Sequence, residues 1–113
     1  MKNLTYAEKH LLENPDRPSV VFFTSEGCYL CVALKPILDK LSKEYSNDFN
    51  FYKVNISEEK ELSDKFLPEG EGVPTGFIIT NDQKVFKIKD PEEPDKKSWY
   101  SEEYIRNILD LIK

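Results

Sequence analysis

A small α/β fold, with a mixed four-stranded sheet and helices on both faces, is what this sequence predicts. Three observations carry it. Apolar spacing switches repeatedly between the helical repeat and strand-like runs along the 113 residues. One run, Ser19 to Thr24, is almost wholly apolar, β-branched and aromatic, as suits a strand covered on both faces. Two further short runs flank Asn81-Asp82, a turn sequence that folds them into a hairpin. The length fits one domain, residues 1–113, since domains commonly run to about 100–150 residues.

Taken in order, Thr5 to about Asn14 reads as a first helix. Thr5 and Glu8 have the spacing of a capping box, in which hydroxyl and carboxylate each accept from a backbone amide left open at the helix start. Asn14-Pro15 and Pro18 stop it. After the Ser19–Thr24 strand, Leu30, Leu34, Ile37, Leu38, Leu41 and Tyr45 fall near the i, i+3, i+4 repeat. They predict a helix from Cys28 to about Ser46, kinked by the missing N–H of Pro36. Phe49 to Ile56 is the next strand, parallel to the first through a right-handed crossover. Ser57 is expected to cap a short helix with Glu58 and Glu59 at its positive end, Leu62, Phe66 and Leu67 on its buried edge, and Pro68 and Gly70 at its close. Gly76–Thr80 and Lys84–Ile88 make the hairpin, and Asp90 to Ser101 is a polar loop. Ser101 then caps a last helix with Tyr104, Ile105, Ile108, Leu109 and Ile112 along one face.

Charge narrows the partners. Sixteen Lys and Arg against 21 Asp and Glu leave a net charge of −5, and the densest runs (Glu69 to Glu71, Asp90 to Asp95) are acidic. A nucleic-acid binder shows a basic stripe instead, so no nucleic-acid partner is expected. Apolar runs such as Val20 to Phe23 fall far short of the roughly 20 residues of a membrane span. Lys2 and Glu8 sit where an export signal needs apolar residues, so a cytoplasmic location is expected.

The two cysteines form one motif, Cys28-Tyr29-Leu30-Cys31. A secreted disulfide scaffold carries more cysteines. A structural zinc site takes four ligands, and the chain offers two thiols and His10, so no metal or other cofactor is expected. Cys28 follows a strand and opens a helix, where free amides and the helix dipole stabilise a thiolate. Two thiols one turn apart can close and reopen a disulfide, passing two electrons through a mixed disulfide. Two blander readings stand beside this one: small core residues, or half of an intermolecular metal site.

Val20-Val21-Phe22-Phe23-Thr24-Ser25-Glu26-Gly27-Cys28-Tyr29-Leu30-Cys31, with Pro36 after it, resembles the active-site strand and helix of the thioredoxin family. Lys53-Val54-Asn55-Ile56 is similar to the family's third strand, and Gly72-Val73-Pro74-Thr75 to its cis-proline loop. The likeness covers about residues 19–89. Among small divergent thioredoxin-like proteins, the chain is also similar to bacteriocin transport accessory proteins. The resemblance implies a thioredoxin-like fold and a thiol–disulfide oxidoreductase, a protein disulfide reductase in a reducing compartment. Cys28 would attack and Cys31 resolve. Pro74 would be cis, and Tyr29, Leu30, Val73 and Pro74 would bind substrate. The partners implied are a disulfide-containing protein or small molecule and an electron donor such as a thioredoxin reductase.

The chain also departs from the family. Phe22 stands where the family has a buried aspartate, leaving Lys53 and Glu26 as the candidates for proton transfer. Gly27 replaces the usual tryptophan, and Tyr29-Leu30 replaces Gly-Pro. The N-terminal strand is expected to be missing, because Met1 to Asn3 is too short. The glycine that lines the family's groove has no match in the Asp90–Ser101 loop, whose Trp99 and Tyr100 either anchor a partner or cover the core. These departures leave a second reading: a non-enzymatic binding or redox-sensing module using the Val73-Pro74 groove.

Overall fold

The computed structural model describes residues 1–13, 15–67 and 72–113. Chain order is β1 (Lys2–Asn3), a 3-10 helix (Tyr6–Leu12), β2 (Ser19–Thr24), α1 (Tyr29–Glu44), β3 (Asn50–Asn55), α2 (Lys60–Phe66), β4 (Thr75–Ile79), β5 (Val85–Lys87) and α3 (Glu102–Ile112). The sheet runs β1-β3-β2-β4-β5. β1, β3 and β2 are parallel, and β4 and β5 join antiparallel, so the four expected strands form with the expected directions.

β2 is central because its side chains are apolar on both faces. Val20 and Phe22 point into a core shared with Leu34, Leu38 and Leu41 of α1 and Ile105 and Leu109 of α3. Val21 and Phe23 point into the opposite core, with Leu12, Val54, Leu62 and Phe77. Strand alternation thus feeds two cores from four consecutive residues. Burying each such side chain stabilises the fold by about 1.5–3 kcal/mol.

Four expectations at element ends are corrected. The N-terminal strand is present: Lys2 and Asn3 pair with Tyr52 and Lys53, and the fully buried Leu4 secures the segment to the core. The first helix is a 3-10 helix, and the Thr5 side chain caps none of its amides, so the expected capping box is incomplete. The Thr5 hydroxyl donates to the Glu8 carboxylate at 3.0 Å, and the Glu8 amide donates to the Thr5 carbonyl at 2.9 Å. Ser57 does not cap α2, because it lies in a turn in which the Glu58 and Glu59 amides donate to the Asn55 carbonyl, and Glu59 becomes the N-cap. α1 begins at Tyr29 with Cys28 as its N-cap, and it ends at Glu44. Asn14, Pro68 and Gly70, expected as helix stops, lie outside the described residues.

α1 continues through Pro36. The carbonyl that Pro36 leaves without a helical donor belongs to Val32, a residue 70% exposed. At the other end of the chain, Ser101 caps α3 as expected, its hydroxyl accepting from the Tyr104 amide at 3.1 Å.

Phe22 has a counterpart across the sheet. It pairs with Gly76, and a Cβ at Gly76 would fall 2.7 Å from Phe22 Cε1 and 2.9 Å from Ile88 Cδ1. The ring therefore occupies the space a side chain would need. Gly76→Ala is expected to lower stability by about 1–3 kcal/mol through overpacking, read as a shifted urea midpoint. A loss under about 0.5 kcal/mol would show that the ring is free to yield.

Candidate functional site

The residues after β2 leave the sheet abruptly. Gly27 takes φ +78°, a conformation other residues rarely adopt, and the Cys28 amide turns back to the Ser25 carbonyl at 3.4 Å. This places Cys28 at the N-cap of α1 with its sulfur over the first turn. The Cys31 amide donates to Cys28 Sγ at 3.1 Å. A thiolate at this position would sit against free amides and the positive end of the helix dipole.

Cys28 and Cys31 are joined as a disulfide, with Cα atoms 5.2 Å apart. The two sulfurs differ in access: Cys28 is half-buried, whereas Cys31 is 7% exposed beneath the helix. Facing them is the loop before β4. The Val73–Pro74 peptide is cis, Pro74 is buried, and the Val73 carbonyl oxygen lies 4.0 Å from Cys28 Sγ. The Thr75 hydroxyl donates to the Gly72 carbonyl at 2.6 Å and braces the turn. Leu30, Val73, Pro74 and Trp99 line a groove of about 260 Å³ beside the disulfide.

The structure thus brings Cys28, Cys31, Leu30, Val73 and Pro74 to one place. Tyr29 is 72% exposed and is not part of the groove wall. Glu26 is exposed on the turn. Lys53 approaches Cys31 from another side, through a smaller cavity of about 150 Å³ that it lines with Lys35 and Thr24. No acid stands at position 22 for it to pair with. Asp39 feels the charge of Lys53 more weakly than that of Lys35, whose hydrogen bond at 3.0 Å holds the Asp39 carboxyl below the usual range.

Both aromatics of the Asp90–Ser101 loop pack on the core, and Trp99 reaches the groove as well. Tyr100 is fully buried, its ring edge-on to Phe22 at 5.9 Å, and covers the core. Trp99 takes φ +64° and turns to the groove, where its Nε1 donates to Asp90 at 3.0 Å. Asp90 is a groove residue that sequence reasoning missed. Its only sequence signal was a place in an acidic run.

Comparison with known proteins agrees with this fold. The thioredoxin family model matches residues 3–100. A thioredoxin of Borreliella burgdorferi is 38% identical over 69 residues, which are 61% of this chain and 57% of that protein. An NADPH-dependent thioredoxin reductase 3 of Arabidopsis thaliana is 37% identical over 59 residues, 52% of this chain but only 11% of that protein. These matches span little more than half, or far less, of each relative's length. The crystal structure of Malassezia sympodialis thioredoxin (Mala s 13) superposes with a TM-score of 0.76 at 17% identity, covering 98% of this chain and 89% of that one. The chain belongs to the thioredoxin family, and its paired cysteines equip it for thiol–disulfide exchange. Among the described residues, no group of three or more His, Cys, Asp or Glu is placed to hold a metal ion. Among the same residues, no helix is long and apolar enough to cross a membrane.

Proposed function

We propose that the chain is a thiol–disulfide oxidoreductase that reduces disulfides in proteins or small molecules. The observation that carries this reading is the asymmetry of the pair: an accessible sulfur capping α1, with its partner buried one turn on. Starting from the dithiol, the Cys28 thiolate attacks one sulfur of the client disulfide. That bond breaks, and the other client sulfur leaves as a thiolate. Cys31 then loses its proton and attacks the Cys28 sulfur, releasing the second client thiolate. Two electrons have passed to the client, and Cys28–Cys31 is a disulfide.

Substrate would lie along the groove, with an extended client segment pairing with the backbone of Val73 and side chains resting on Leu30, Pro74 and Tyr29. With Phe22 filling the place of an acid, the proton leaving Cys31 passes to water in the cavity lined by Lys53. The positive charges of Lys53 and Lys35 there favour the thiolate that forms on Cys31. Glu26, on the exposed turn, is the other candidate. An external dithiol donor closes the cycle. The likeness to a segment of an NADPH-dependent thioredoxin reductase supports a donor of that class. A cytoplasmic location, where thiols are kept reduced, fits the reductase direction.

Cys31→Ser tests the assignment. The variant is expected to accumulate covalent client adducts through Cys28, visible as bands lost on adding dithiothreitol. The wild-type pair should titrate reversibly in graded thiol buffers. A potential near about −270 mV marks a reductase, and one of about −180 to −120 mV marks an isomerase or oxidant instead. The buried Phe22 favours a second reading, a binding module without turnover. That reading prevails if Cys31→Ser traps nothing and no reversible transition is seen.

A further inference from the structure

Trp99 and Asp90, which line the groove beside Pro74, also line a second and larger space of about 540 Å³. Its walls are the aromatic side chains of Trp99 and Tyr104 and the carboxylates of Asp90, Glu92, Glu93 and Asp95. Lys89 is the one basic residue on the wall and Lys87 Nζ stands 4.0 Å from the Asp90 carboxylate, so four carboxylates face two cations. Lys96 and Lys97 belong to the same loop but are not part of this wall.

The basin is built rather than loosely draped. Asp95 and Trp99 exchange both backbone hydrogen bonds, at 3.0 and 2.9 Å. One Asp95 carboxylate oxygen accepts from the Lys97 and Ser98 amides at 2.8 and 3.2 Å. The Tyr104 hydroxyl donates to the Lys89 carbonyl at 2.6 Å. Such bracing reduces the ordering cost of receiving a ligand. The Tyr104 hydroxyl also reports the field: desolvation first, and then the charges of Asp90 and Glu92, raise its pKa.

An indole side chain bordered by carboxylates suits a cation that offers both charge and an apolar stem, as lysine and arginine side chains do. It repels an anionic segment. We propose that this loop selects the protein's clients: the disulfides it reduces most readily carry a lysine or arginine near the cysteine, seated between Trp99 and the Asp90–Asp95 carboxylates. This rests on the oxidoreductase reading above and names its substrate class.

The test uses three peptides, each with one disulfide, identical except for Lys, Gln or Glu at the positions flanking the cysteines. Turnover is driven by dithiothreitol, and kcat/KM is measured for each. The wild type is expected to favour the Lys peptide over the Glu peptide by about tenfold at low salt, with the ratio shrinking in high salt as the charges are screened. In a Glu92→Gln/Glu93→Gln double variant the ratio is expected to fall below about twofold, while the unfolding midpoint stays in place because both residues are exposed. If wild type reduces all three peptides equally, or the double variant keeps the full ratio, the client-selection proposal is overturned and the oxidoreductase reading stands. If none of the three peptides is reduced, both fall together.

Discussion

Cys28→Ser is expected to eliminate catalysed disulfide reduction, cutting the rate of dithiothreitol-driven insulin reduction by at least about a hundredfold, to the uncatalysed background. A serine hydroxyl is not ionised near neutral pH and cannot break an S–S bond, whereas the thiolate is the attacking species in every exchange. The substitution separates chemistry from folding. Cys28 is the N-cap of α1 and accepts the Cys31 amide, and serine is among the preferred N-cap residues. The variant should therefore unfold within about 0.5 kcal/mol of the reduced wild type. Retention of more than about a tenth of the activity would place the attacking sulfur elsewhere and reverse the assignment of the pair.

Phe22→Ala carries the largest expected effect on stability, a loss of about 3–5 kcal/mol. The ring is fully buried, packs edge-on against Tyr100 and fills the space above Gly76. Against a typical total of about 5–15 kcal/mol, that loss leaves a marginal domain. Urea unfolding measures it. Adding Gly76→Ala to Phe22→Ala should cost less than the sum of the two changes, because the new methyl enters the cavity the ring has left. Strict additivity, or a Phe22→Ala loss below about 1.5 kcal/mol, would mean that the two positions are not coupled through this contact.

What the sequence made legible was local. The Ser19–Thr24 run, the one-turn spacing of Cys28 and Cys31, the hairpin turn and the Ser101 cap each declare themselves within a few residues, and each formed as expected. The features that were missed depend on distant partners. β1 has two residues and no periodicity to detect; it exists because Tyr52 and Lys53 offer it an edge and Leu4 reaches the core. Ser57 has the composition of a cap but falls in a turn closed on Asn55, and α2 starts only after Glu59. The coupling of Phe22 to Gly76 spans 54 residues, 76 less 22, and is visible only once β2 and β4 are paired. Tyr100 is wholly core, while its neighbour Trp99 packs on the core and also lines the groove, at a positive φ angle that no pattern in the loop announces.

The sulfurs of the pair belong to residues three apart, both within the opening turn of α1. The bond between them ties no distant parts of the chain together, so neither the sheet nor the two cores is cross-linked by it. The molecule's oxidation state is written on a few atoms at one corner. A partner that must tell the oxidised from the reduced form has to read that corner by touch; one docked on the far face of the sheet has no covalent link through which to learn which form it holds.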